Sequence, residues 1–193
     1  MTRRSSPLNM GLKPGKVTER EGWEIALTYL GEKSHHPLFI ADLSHTPKWT
    51  LQSHEMDSIR PAGLTIPIKP RDVTFKGDIL IARLTSWECR IMALGEEIPD
   101  FTEPLYHDVT DGFAALAIVG PQCLEVLNKV SPVDLDDPKR TVPCAAQGPI
   151  EDIACLMIRL KGEKDVPGLI VSVSRGYGHF LMEVFLDAGK DFH

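Results

Sequence analysis

The sequence predicts an α+β fold built as two similar halves, the second following a split βαβ plan. Three observations carry this. From Asp108 to Phe192 the residues order as strand, Gly-Pro turn, helix, strand, strand, helix. The segments LFIADLSHTPKWTLQ and PLYHDVTDGFAALAI both place Asp and a hydroxyl residue ahead of an apolar strand, and each is followed by a pair of apolar strands, which suggests a duplicated α+β unit. Between them, Glu96, Glu97, Asp100 and Glu103 alternate with Pro99 and Pro104 in an acidic connector. The expected division is an N-terminal arm over 1–16, a first half over 17–103 and a second half over 104–193.

The arm is rich in Ser, Pro, Gly, Arg and Lys with scattered apolar positions, so it is expected to lie outside the core. Trp23, Ile25, Leu27 and Tyr29 alternate as in a strand. Leu38–Leu43 is rich in strand formers, and WTLQ resumes after Pro47. A short helix is expected over 52–59, and Pro61, Pro67 and Pro70 then impose a loop with extended pieces. ILIARL and SWECRIMAL read as two strands meeting near Ser86.

In the second half, Phe113–Val119 is apolar at every position, the pattern of a strand buried on both faces. Gly120 and Pro121 turn the chain into a helix striped by Leu124, Leu127 and Val130, with Pro121 suited to its first position. Strands are expected over 153–160 and 169–173. Ser174 is the expected N-cap of a last helix in which Tyr177, Leu181, Val184, Phe185 and Ala188 recur at helical spacing.

Composition narrows the function classes. A chain of 193 residues can bury roughly 70% of the surface its unfolded form exposes. With 42% apolar residues, 25% charged residues and a net charge of −6, it has no basic patch that advertises nucleic acid. The longest apolar run, Phe113–Val119, is far short of the roughly 20 residues of a membrane helix, so no membrane partner is expected. Cys89, Cys123, Cys144 and Cys155 never form a CxxC pair, and no secretory signal precedes them, which predicts reduced, packed thiols in a cytoplasmic protein.

Candidate chemistry is sparse. The adjacent His35 and His36, and the scattered His45, His54, His107 and His179, lack the i, i+4 spacing of a metal site, and no metal is expected. Cys123 sits near a helix N-terminus, where the dipole lowers a thiol pKa, but it belongs to a stretch that should pack on a sheet. Arg175-Gly-Tyr-Gly opens the last helix. Its guanidinium and backbone N–H groups could hold an anion such as a carboxylate tail, or its glycines could serve only strand exit and capping. No GxGxxG is present, so neither FAD nor NAD is expected to bind this chain by itself.

Several segments together resemble the gamma subunit of heterotetrameric sarcosine oxidase: the Asp108-Val-Thr-Asp start, the Gly120-Pro121 turn, the Val133-Asp134-Leu135 exit and the closing SVSRGYGHFLMEVFLDAGKDF. In the first half GLTIPIKP and GDILIARLTSWECRIMAL agree, so the likeness spans roughly 38–192. That family is related to the folate-binding glycine-cleavage T-protein. The resemblance therefore implies two ferredoxin-like halves facing each other across a cleft, without the T-protein's C-terminal barrel, for which this chain is too short.

The resemblance also implies partners, the larger flavoprotein subunits of such a complex, with this chain mainly structural. Its alternative is a folate-dependent aminomethyl or methyl transferase. The T-protein segment Gly-Gly-apolar-apolar-Asp-Asp maps onto Gly148, Ile150 and Asp152 here, with Pro149, Glu151 and Ile153 departing from it. Asp152 would then position or deprotonate the amine, and Arg175 and Tyr177 would lie near the tetrahydrofolate. Equally, Glu151 and Asp152 could be solvated charges at a strand entry.

Overall fold

The computed structural model describes residues 4–8, 14–20, 22–29, 38–162 and 165–192. The His35–His36 pair lies outside the described residues, as do 1–3 and 9–13 of the arm. The strands run in chain order as β1 (Arg4–Ser5), β2 (Pro14–Arg20), β3 (Trp23–Tyr29), β4 (Phe39–Asp42), β5 (Lys48–Gln52), β6 (Val73–Lys76), β7 (Ile79–Arg83), β8 (Glu88–Ala93) and β9 (Tyr106–Asp108). Then follow β10 (Phe113–Val119), α1 (Cys123–Val130), β11 (Cys144–Ile150), β12 (Ile153–Lys161), β13 (Pro167–Ser174) and α2 (Gly178–Ala188). The fold is α+β with mostly antiparallel sheets and few helices.

Both five-stranded sheets follow one plan. Their orders are β6-β7-β8-β5-β9 and β11-β12-β13-β10-β4. In each, the last strand belongs to the other half of the sequence, because β4 pairs with β10 and β9 pairs with β5. The internal echo explains the exchange. Asp42 Oδ1 accepts the Ser44 N–H at 2.8 Å, and Asp108 Oδ1 accepts the Thr110 N–H at 2.8 Å, so each Asp closes the same side-chain turn. The hydroxyl that follows then reaches across. Ser44 Oγ accepts the Ala115 N–H and Thr110 Oγ1 accepts the Lys48 N–H, which fastens each turn to the neighbouring strand of its own sheet, a strand contributed by the other half of the sequence.

The two sheets share a core. Leu80, Ala82 and Met92 from one meet Ala115, Leu156, Ile158 and Ile170 from the other. Strand β10 is buried on both faces, as its unbroken apolar run predicts: Ala115 and Ala117 face the other sheet, while Leu116 and Ile118 face α1 and α2 with Leu127, Leu181 and Phe185. Among the described residues, no α-helix covers the outer face of the first sheet. Trp49, Ile81 and Ile91 there are covered by Met56, Ile66 and Phe101 from turns and loops. The helix expected over 52–59 is a single 3-10 turn at Met56–Ser58.

Several expectations are corrected. Leu8 is fully buried in the helix-side core, and β1 pairs parallel with β3, so part of the 1–16 segment packs rather than lying outside. Helix α1 starts at Cys123, with Pro121 in the preceding turn, because the Gly120 carbonyl accepts the Cys123 N–H and closes that turn first. Ser174 makes no side-chain cap. A 3-10 turn over Arg175–Tyr177 intervenes before α2, which leaves Tyr177 exposed and off the core stripe. The chain folds β6, β11 and β2 where no strand was expected; Pro149 is tolerated in β11 because that strand is a sheet edge.

Candidate functional site

Polar side chains are buried at the junction of the two sheets. Lys48 is fully buried on β5, and its Nζ donates to the carbonyls of Leu43, Ser44 and Thr46 at 3.1, 3.0 and 2.7 Å. Burial pulls its pKa down to about 7 against the opposing pull of the Asp42 carboxylate. With three carbonyls around Nζ, every N–H is engaged whether the group is ammonium or amine, so Lys48 fastens the 43–46 turn and offers no free donor to a ligand.

Arg90 on β8 is also buried, and its guanidinium lies 4.2 Å from the centre of the Phe113 ring on the opposite sheet. Its Nε and Nη1 find no hydrogen-bond partner among the described residues, which leaves the ring as the main contact offsetting its burial. Burial lowers its pKa, with Glu88 acting the other way.

No thiol here is a ready nucleophile. All four cysteines are free and buried. Burial pushes Cys89 up to about 12 and Cys123 and Cys155 up to about 11, and it raises Cys144 as well. At Cys123 this loss of solvation outweighs both Arg159 and the backbone N–H groups at the start of α1, so the helix-terminus argument for a reactive thiol fails.

An open groove of about 1110 Å³ lies between α2, the end of α1 and the β11–β12 turn. Its wall is built from the turn upward. Glu151 adopts φ of 49°, which makes a tight hairpin and sets the Glu151 and Asp152 side chains out into solvent. The Glu151 N–H donates to Val130 O at 2.7 Å and Ser131 Oγ donates to Pro149 O at 2.6 Å, clamping the hairpin onto the end of α1. Lys129 closes the far end, donating to Ala188 O and pairing with Asp191 at 2.9 Å. Phe180 and Leu186 stand in this groove with 39% and 38% of their surfaces exposed.

No family model matches this chain, and no curated protein matches it. Among solved structures, it is similar to a chain of the heterotetrameric sarcosine oxidase from Corynebacterium sp. U-96 in complex with pyrrole 2-carboxylate, with a TM-score of 0.67. The two are 18% identical, and the match covers 83% of this chain and 88% of that one. The chain has a sarcosine-oxidase-like fold.

Within this sarcosine-oxidase-like fold the three residues singled out in the sequence do not converge. Asp152 lines the groove, whereas Arg175 and Tyr177 do not. The Arg175 guanidinium donates to Ser5 O at 3.2 Å and lies 5.0 Å from the centre of the Trp23 ring. Arg4 approaches the same ring at 5.7 Å and pairs with Asp111 at 3.5 Å. Arg175 thus ties the N-terminal strands to the second sheet, and Tyr177 is an exposed residue just ahead of α2. Among the described residues, no three His, Cys, Asp or Glu side chains gather as metal ligands, and no helix is long and apolar enough to cross a membrane.

Sequence reasoning missed Lys48 and Arg90 as buried groups. The available signal was a partial one: Arg90 shares a face of β8 with the apolar Met92 two residues on, and Lys48 pairs across the sheet with that same Met92. It also missed Phe180 and Leu186, which stand off the core stripe of α2.

Proposed function

We propose that the chain is a gamma-like small subunit of a sarcosine-oxidase-like complex that demethylates an N-methyl amine oxidatively, and that it braces the complex rather than doing chemistry. The observation that carries this is the extent of the match, 83% of one chain and 88% of the other, which is a likeness over most of both chains rather than over a short shared segment. The interior agrees with a bracing role: its buried Lys48 is saturated by backbone carbonyls and its thiols are held protonated. In this reading flavin and NAD reside on larger cytoplasmic flavoprotein chains, which also carry any tetrahydrofolate-linked step.

The two units are read as ferredoxin-like halves facing each other. The order β12-β13-β10-β4, with α1 after β10 and α2 after β13, supports this for the second half, β4 serving as its fourth strand. The first half keeps the order β7-β8-β5-β9 with 3-10 turns where the helix after β5 would stand.

A second reading, a folate-dependent aminomethyl transferase acting through Asp152, draws on one observation, the exposed Asp152 carboxylate over the groove. The surrounding residues do not fit a folate. Its glutamate tail is anionic, the groove carries Glu151, Asp152, Glu183, Asp187 and Asp191 against two lysines, and Arg175 is already engaged with Ser5 and Trp23.

Purification of the chain from its native source, with mass spectrometry and absorbance spectroscopy, separates the readings. The subunit reading expects larger flavin-bearing chains in fixed ratio. A chain that purifies alone, binds tetrahydrofolate saturably and loses turnover but not binding in Asp152→Asn would overturn it in favour of the transferase.

A further inference from the structure

The groove beside α2 combines two properties rarely left in solvent together. It exposes two large apolar side chains, Phe180 and Leu186, next to the half-buried Val184 and Ile153. It is also strongly acidic. Its two lysines are already neutralised from within, Lys129 by Asp191 at 2.9 Å and Lys190 by Asp187 at 2.7 Å. That leaves Glu151 and Asp152 with no ion pair among the described residues, and Glu183 with only His179 at 3.3 Å.

We propose that this groove is the docking site for a basic, apolar-edged segment of a larger partner chain, its Lys or Arg side chains seated among Glu151, Asp152 and Glu183 and its apolar side chains against Phe180 and Leu186. The inference rests on the subunit reading above and names the surface that reading requires.

Charge complementarity selects this occupant. A second copy of the chain meeting the same face across a two-fold axis would set carboxylates against carboxylates, and an anionic ligand would meet the same repulsion. A basic segment instead gains opposite charges at the rim while covering the exposed rings and methyls at the centre, the usual arrangement of a protein interface. The groove is also preformed. The hairpin is clamped to α1 by the Glu151 N–H and the Ser131 hydroxyl, and α2 is fastened to α1 through Lys129, so little ordering is needed on this side when the partner binds.

The test uses the chain co-expressed with the flavoprotein chains that co-purify with it. A water-soluble carbodiimide joins a carboxylate to an amine in direct contact, and mass spectrometry locates the links. Glu151, Asp152 or Glu183 is expected to couple to a lysine of a flavoprotein chain. The double variant Asp152→Lys/Glu183→Lys is expected to retain less than about a tenth of the partner, with the isolated chain melting within about 3 °C of the parent because both sites are exposed. Should that variant misfold, the neutral pair Asp152→Asn/Glu183→Gln replaces it, with retention expected to fall about threefold or more and to depend less on salt. A complex that forms normally, shows no carbodiimide links at the groove and tolerates both double variants overturns the docking site while leaving the subunit reading intact. The absence of any flavoprotein in the preparation overturns both.

Discussion

Lys48→Ala is expected to lower the unfolding free energy by about 3–5 kcal/mol, and Lys48→Met by distinctly less. Alanine empties a site that has no solvent access and strips the Ser44 and Thr46 carbonyls of their donor. The Leu43 carbonyl keeps the Thr46 hydroxyl and the Thr46 N–H, so it is not orphaned. Methionine refills the volume and removes a buried charge, leaving only the two carbonyls unpaired.

The same residue sets a pH dependence with a definite sign. Burial holds Lys48 near about 7 in the folded chain against 10.5 when unfolded, so between those values the unfolded chain binds a proton that the folded chain does not. Stability therefore rises with pH above about 7, by at most about 1.4 kcal/mol per pH unit. From about pH 9 the thiols oppose it. Cys89, Cys123 and Cys155, held at about 12, 11 and 11, keep protons that the unfolded chain releases from near 9.0, and stability falls. Urea unfolding from about pH 6.5 to 10 should show a maximum between about pH 8 and 9. In Lys48→Met the rising limb disappears and the falling limb stays. A rising limb of unchanged slope in that variant would show that Lys48 is not the titrating group.

What the sequence made legible follows from the range over which its signals act. The apolar runs of β10, β12 and β13 announce themselves because each strand is buried on both faces and needs no partner to be recognised. Strand β11 hid behind Gly148 and Pro149, residues that argue against a strand interior but are permitted at an edge. Gly148 is itself favoured by packing, since a Cβ there would clash with a methyl of Val133.

The repeat was visible in the paired Asp-and-hydroxyl turns, yet the exchange of β4 and β9 between halves was not, because local periodicity does not encode which sheet a strand joins. Lys48 and Arg90 were passed over as core groups for a related reason: a charged side chain reads as solvated until its carbonyls or its ring are known, whatever the face it shares. At the candidate site, Asp152 was singled out through the resemblance of its segment to that of the T-protein, whereas Phe180 and Leu186 were only two apolar residues off a helical stripe. Their exposure is a property of the assembled surface.

Two adjacent residues on α2 separate the stability of the fold from the proposed docking. Phe185 is almost fully buried between α2 and the second sheet, so Phe185→Ala is expected to cost about 3–5 kcal/mol through lost burial and the cavity left among Leu116, Leu127 and Leu181. Leu186, one residue on, turns 38% of its surface to the groove. Its truncation to alanine is expected to change the isolated chain's stability by well under about 1 kcal/mol. If the groove is a docking surface, the order reverses in the complex. Leu186→Ala weakens partner retention with the melting temperature of the isolated chain nearly unchanged, whereas Phe185→Ala lowers that temperature first and loosens the partner only as α2 itself comes away from the sheet. Thermal melts of both variants beside a pull-down at matched concentration measure the contrast, and equal retention by Leu186→Ala and the parent would count against an apolar contact at that face.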